Sequence, residues 1–247
     1  MALETAAGFY QCYGEPVTIL VVLKVAEGLV LAADSRLTVT AGDCTVFTSD
    51  SQRKLFAVRD RPIGILTCGA AFLGGRSIAS WLAEFCMTDA PTCADLDGIL
   101  RLLIDKLPPP DQGSISFVVA GFEQGAAHGP DARIFKVNRF DCGTVHRFDL
   151  SDSAIFWDGE FEAITRLLLG FAPAYAPIVT GSASFGAGEV RVPYYAFSLA
   201  EGADYVHFLV HTQVQFQRFA AVPQTCGGPI DVATITPGEG WRWLARK

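Results

Sequence analysis

The stretch from Val17 to Arg36, VTILVVLKVAEGLVLAADSR, most constrains what this chain can fold into. Residues 18–23 (TILVVL) are apolar after the opening Thr and rich in β-branched types, and residues 29–33 (LVLAA) are apolar again. A Glu-Gly turn separates the two runs. Continuous apolar runs of this length, broken by such a turn, read as two buried strands paired in a hairpin. Asp34 closes the second strand. A charge at the end of a buried strand needs a specific partner, because an unpaired charge is costly to take out of water.

Further along, residues 39–58 read as a second hairpin and residues 63–68 (IGILTC) as a short buried strand. A helix is predicted over 70–86, with Trp81, Leu82 and Phe85 on one face. A second is predicted over 93–107, where Leu96, Leu100, Leu103 and Leu107 recur at helical spacing and Thr92 offers an N-cap. After the Pro run at 108–110 come strands near 114–122, 132–138, 144–149 and 153–157, and a helix near 160–170. A long helix over 198–219 carries Leu199, Ala203, Val206, Val210 and Val214 on one stripe. Strands near 229–236 and 240–245 close the chain. This order of elements suits two stacked sheets with helices on both outer faces.

Composition narrows the function classes. Half of the 247 residues are hydrophobic, ample for one large core. No linker, repeat or low-complexity tract divides the chain. No apolar run reaches the roughly 18 residues of a membrane span, and the N-terminus lacks the basic start and apolar centre of a signal peptide. The seven cysteines have no metal-ligand spacing, and their odd number argues against a disulfide framework, so a reducing cytoplasm is expected. A net charge of −7 without a basic cluster argues against nucleic acid as a partner. His207 and His211 stand four apart on the long helix, but no third ligand accompanies them. Neither a metal nor another cofactor is expected.

The order and spacing of several motifs resemble the proteasome β-type subunit family, its bacterial proteasome-like branch in particular. Thr18 opens the first strand and Asp34-Ser35-Arg36 closes the second at the family's spacing. DSQRKLF supplies Lys54 after a further hairpin, LTCGAAFLGGR a Gly-Ala turn before a helix, SFVVAGF (116–122) a middle strand, and TCGGPIDVATI a late Gly-Gly. The segments WDGEFEAITRLLLG and FQRF…GGPIDVA are also of the bacterial kind. The resemblance implies a four-layer α/β/β/α sandwich of N-terminal-nucleophile hydrolase type, α+β with mainly antiparallel sheets. It spans residues 18–247, with 1–17 as an extension or propeptide.

The resemblance also implies a chemistry. An N-terminal Thr carries a hydroxyl nucleophile and, in its own α-amine of pKa near 8, a general base. The roles fall to Thr18 as nucleophile and to Asp34 and Lys54 as the activating pair. The Cys68-Gly69 turn falls at the oxyanion hole. Arg36, Leu37, Thr38, Leu66 and Ala70 are the substrate-binding positions, with Leu37 and Leu66 favouring an apolar side chain. Peptides or amides are the substrates this implies, and a homo-oligomer, ring-like in the family, is the assembly. Any ATPase or other regulator is unspecified.

The chain departs from the family at supporting positions. Val17 and Pro16 precede Thr18 where a Gly is usual. Asp158 stands before Gly159 in place of an accessory Ser, and Pro223 and Cys226 stand where an accessory Asp and Ser precede the late Gly-Gly. Cys68 reads as a small buried hydrophobe rather than a nucleophile. Thr18 also reads as an ordinary strand threonine, and Asp34–Lys54 as a structural ion pair. Two functions therefore stand: a threonine-type peptidase or amidase activated by exposing Thr18, and an unprocessed, inactive proteasome-like protein with an assembly or binding role.

Overall fold

Strands β1 (Ile19–Val25) and β2 (Gly28–Ala33) form the expected hairpin, closed by exposed Ala26 and Glu27, with Leu20 opposite Ala33 and Val25 opposite Gly28. Every residue of both strands is buried. The computed structural model describes residues 18–41, 44–111, 113–124, 133–141, 143–149, 154–179 and 189–246. The 1–17 extension, and with it the Val17–Thr18 bond, lies outside the described residues.

The hairpin is followed by β3 (Leu37–Ala41), β4 (Cys44–Ser49), β5 (Leu55–Ala57), β6 (Ile63–Gly69), and the two-residue strands β7 (Phe72–Leu73) and β8 (Arg76–Ser77). Helices α1 (Ile78–Thr88) and α2 (Leu96–Lys106) come next. Strands β9 (Ile115–Gln124), β10 (Arg133–Asp141), β11 (Thr144–Asp149) and β12 (Ile155–Gly159) follow. The chain ends with α3 (Glu162–Leu169), the single turn α4 (Ala176–Val179), the long α5 (Leu199–Phe219), β13 (Asp231–Thr236) and β14 (Gly240–Ala245).

Two five-stranded sheets result, ordered β12-β1-β2-β13-β14 and β11-β10-β9-β6-β5. Within both, every pairing among the described residues is antiparallel. Three apolar clusters explain why the strands are apolar on both faces. Leu20, Val22 and Leu31 of the first sheet meet Leu55, Leu66 and Val118 of the second. The other face of the first sheet, with Ile19, Val21 and Val30, packs on Ile164 and Leu168 of α3 and on Val206, Leu209 and Val210 of α5. The other face of the second, with Ile65, Phe117 and Val119, packs on Leu82 and Phe85 of α1 and on Ile99 and Leu103 of α2. The architecture is mixed α+β with antiparallel sheets.

Helix boundaries differ from the sequence-based expectations for local reasons. The helix expected over 70–86 begins only at Ile78. Gly74 and Gly75 adopt φ of 56° and 78° and turn the chain between β7 and β8, a conformation that costs glycine little. Ser77 then caps α1 by accepting from the Ser80 amide. The helix expected over 93–107 spans Leu96–Lys106, and its cap is Asp95, which accepts from Gly98, not Thr92, which ends a short 3₁₀ turn. The long helix starts with a capping box between Ser198 and Glu201.

Two of the buried thiols give a direct check on this packing. Cys86 on α1 is 2 % exposed and burial pushes its thiol up to about 12. Cys226 is 1 % exposed and is pushed well above the ordinary value, first by burial and then by the charge of Asp34. The thiolate is the reactive form, so at pH 8 only on the order of one Cys86 in ten thousand is competent. Both cysteines are expected to resist iodoacetamide at pH 8 in the native protein and to react fully in denaturant, as read by peptide mass spectrometry. Rapid native labelling of Cys86 would contradict the packing of α1.

Candidate active site

The strand register brings Thr18 to the open end of the first sheet. Ile19 pairs with Gly159 on β12, and the Asp34 amide donates to the Ile19 carbonyl at 3.3 Å. Thr18 therefore lies between the ends of β2 and β12. Its carbonyl accepts from the Glu160 amide at 2.6 Å. Gly159, at φ 88°, is required there, since a Cβ would stand 2.0 Å from the Thr18 carbonyl oxygen. Thr18 is 2 % exposed and lines a narrow cleft.

The Asp34 carboxylate organises this end of the molecule. Its Oδ1 accepts from the Ile19 amide at 3.1 Å and from Lys54 Nζ at 2.8 Å. Its Oδ2 accepts from the Arg36 amide at 3.1 Å and the Gly227 amide at 2.9 Å. Asp34 is fully buried and the Lys54 side chain nearly so. Lys54 comes from the second sheet: its carbonyl accepts from the Thr67 amide on β6 at 3.0 Å. The ion pair thus spans the two sheets. The expected partner of Asp34 is Lys54, and the Lys54 side chain lines the same cleft as Thr18.

The loop after α5 completes the Asp34 site, a contact the sequence reading did not identify. Ser35 donates from its amide to the Gly227 carbonyl at 3.0 Å and from its hydroxyl to the Pro229 carbonyl. Arg36 pairs with Asp50 through Nε at 2.7 Å and a second nitrogen at 2.9 Å. The bond to Asp50 raises the guanidinium pKa further. Gly227 lies against this guanidinium, where a Cβ would come within 2.4 Å, and Gly228, at φ 74°, lies against Asp50. The Gly-Gly pair is there because the Arg36–Asp50 pair leaves no room for side chains.

On the opposite wall, Gly69 adopts φ 98° and a Cβ would meet the Ser114 carbonyl at 2.3 Å. The Ala70 amide donates to that same carbonyl at 2.8 Å. Cys68, Gly69 and Ala70 line the cleft, together with Arg36, Leu37 and Thr38. The Thr38 hydroxyl oxygen is buried and has no hydrogen-bond partner among the described residues. Leu66 does not line the cleft. It is fully buried between the sheets, two residues below Cys68 on the same strand face. Gln52, Thr67, Ala71 and Ile78 line the cleft without having been singled out from the sequence.

The positions that depart from the family are occupied as follows. Asp158 is 3 % exposed, and its carboxylate accepts from the next amide, Gly159, at 2.8 Å and from the Ser116 hydroxyl at 3.5 Å. Ser116 also meets the Cys68 thiol at 2.8 Å. Cys226 is buried beside Asp34 and Lys54. His207 and His211 stack with ring centroids 6.2 Å apart on the exposed side of α5, and no group of three or more metal-ligating side chains occurs among the described residues. No described helix is long and apolar enough to cross a membrane.

The chain matches no protein-family model and no curated protein. Its fold is similar to that of a solved structure, a mutant of Anbu from Hyphomicrobium sp. strain MC1. The TM-score is 0.52 at 16 % sequence identity, over 93 % of this chain and 86 % of that one. At this identity the likeness is one of fold. Anbu is a bacterial proteasome-like protein, so the fold has a proteasome-like neighbour.

The buried pair dictates an order of stabilities. Asp34→Ala would strand the Lys54 ammonium and leave the Ile19, Arg36 and Gly227 amides without an acceptor. We expect a loss of a few kcal/mol, up to about 3–5, the range for breaking a buried pair. Lys54→Met leaves the carboxylate with three backbone donors and should cost less. Urea unfolding at pH 7 measures both. An Asp34→Ala loss below about 1 kcal/mol, a typical neutral hydrogen bond, would contradict the arrangement.

Proposed function

We propose that residues 18–247 form a four-layer hydrolase domain of the N-terminal-nucleophile type. In this reading the chain is a proteasome-like threonine peptidase or amidase, activated when removal of residues 1–17 exposes the Thr18 amine. The observation that carries the reading is the buried Asp34–Lys54 pair, held across two sheets, in the same cleft as Thr18. In this reading the Lys54 ammonium, from the same cleft, favours the ionised form of the Thr18 hydroxyl. The freed amine takes the hydroxyl proton as general base and returns it to the leaving amine.

Strand geometry supports a choice of oxyanion donor. The Thr67 amide points toward β5, where it meets the Lys54 carbonyl. Alternation along a strand turns the amide two residues on, at Gly69, toward the same edge. There β5 has ended and the cleft begins. The Gly69 amide, rather than that of Cys68 or Ala70, is thus the donor we assign to the developing oxyanion. Leu37 and Ala70 supply apolar wall to the substrate side chain. No cofactor enters this chemistry.

A second reading is favoured by specific contacts. Asp158 and Cys226 stand where the family carries accessory hydroxyls, and the Asp158 carboxylate is engaged by its own neighbouring amide. This supports an unprocessed protein that keeps the fold for assembly or binding. In either reading we infer a cytoplasmic homo-oligomer. Phe208, Phe216 and Phe219 on α5 are 48 %, 38 % and 81 % exposed, and packed helix faces would cover them.

Three proteins decide between the readings: the full chain, a chain beginning at Thr18, and that chain with Thr18→Ala. They are compared on fluorogenic peptides with an apolar residue before the cleavage point and on small amides. The uncleaved Thr18 nitrogen is an amide and not basic, so only the second protein should hydrolyse. If it folds and is inert on every substrate, the assembly reading replaces the catalytic one. If the full chain is active with Met1 retained, Thr18 is not the nucleophile. Light scattering at micromolar concentration is expected to give a multiple of the protomer mass in both forms, 26.5 kDa for the full chain, and a monomeric mass would contradict the assembly.

A further inference from the structure

The inward face of α5 changes character along its length. Val206, Leu209 and Val210 are fully buried aliphatics, but the stripe continues with two amides, Gln213 at 0 % and Gln217 at 2 % exposure. A buried amide costs stability wherever its hydrogen bonds go unmade. Gln213 accepts from the Ala163 amide in the first turn of α3 at 2.8 Å, while its Nε2 has no partner among the described residues. Gln217 reaches the candidate active site instead. Its Oε1 accepts from the Cys226 amide at 2.9 Å, and its Nε2 donates to the Thr225 hydroxyl at 3.0 Å. A backbone N–H can only donate, which fixes the amide's orientation.

From this one side chain two paths run to the two halves of the site. Cys226 precedes Gly227, whose amide donates to Asp34. Thr225 passes its own proton to Glu160 Oε1 at 3.1 Å, and the Glu160 amide holds the Thr18 carbonyl. The Thr225 hydroxyl has one proton and uses it on Glu160, so it accepts from Gln217, and the chain of bonds has a single direction.

We propose that Gln217 and Thr225 are positioning residues, which together fix the Thr18 backbone relative to the Asp34–Lys54 pair. Neither touches a substrate. Their catalytic consequence rests on the peptidase reading; the brace itself does not. Displacing a nucleophile by a fraction of an ångström lowers turnover more than binding.

The test uses the chain beginning at Thr18 with Thr225→Val, which keeps the side chain's shape without the hydroxyl, Thr225→Ser, which restores it, and Gln217→Glu. Gln217→Glu keeps the acceptor for Cys226 and loses the donor to Thr225. Thr225→Val and Gln217→Glu are expected to lower kcat about tenfold with KM within about twofold, and Thr225→Ser to recover turnover. A role confined to stability would leave kcat of the folded protein unchanged, and that result would overturn the catalytic consequence. Native-state amide exchange reads the brace independently. The Glu160 amide should exchange about tenfold faster in Thr225→Val, while the core amide of Val119 stays as in the parent. If Glu160 exchange is unchanged, the brace is wrong. If the parent hydrolyses nothing, the peptidase reading alone falls, and amide exchange still decides the brace.

Discussion

The Asp34 carboxylate is the contact on which this end of the molecule depends. A buried carboxylate is tolerated only if charge and lone pairs are both answered. Here the answers come from four different segments: the start of β1, the turn after β2, the loop after α5, and Lys54 on the facing sheet. These donors stand at residues 19, 36, 54 and 227, far apart in sequence. The carboxylate therefore fixes the relative placement of two sheets and a distant loop. The apolar contacts between the sheets are non-directional and would not do this alone.

This demand propagates outward. The Gly227 amide reaches Asp34 because Arg36 and Asp50 occupy the space beside the Gly-Gly pair. The Cys226 amide, one residue earlier, is turned inward and must be answered in turn, which Gln217 does. Across Thr18 the same logic holds. The Glu160 amide approaches the Thr18 carbonyl through a glycine at positive φ, and the Glu160 side chain is tied back to Thr225. Polar groups under the site thus form a connected set, as low-dielectric interiors require.

Much of this was legible in the sequence. The β1–β2 hairpin announces itself because both faces of each strand are buried, so the apolar run is unbroken. A charge placed after such a run had to be paired, and Asp34 is. What stayed hidden was polar and non-local. Gln213 and Gln217 interrupt the aliphatic stripe of α5, and a pattern search for apolar spacing passes over them, although they lie on the buried face. The family resemblance made Leu66 a pocket position, but the strand carries it two residues deeper than Cys68, between the sheets. The start of α1 was misplaced because Ala70 and Ala71 favour helix, whereas Gly74 and Gly75 impose a turn that overrides them.

The anchors of Thr18 bear on how such a site would be switched on. Its carbonyl is held by Glu160, and the following amide, Ile19, by Asp34. Both lie on the carbonyl side of Thr18. Cutting the peptide bond on the amino side would remove neither of these two hydrogen bonds. The cut would change the Thr18 nitrogen from a non-basic amide to an amine that accepts a proton near neutral pH. In the proposed peptidase reading, the two requirements of an N-terminal nucleophile are separate. Position is set by hydrogen bonds downstream of the reacting residue, and basicity is set by one bond upstream of it.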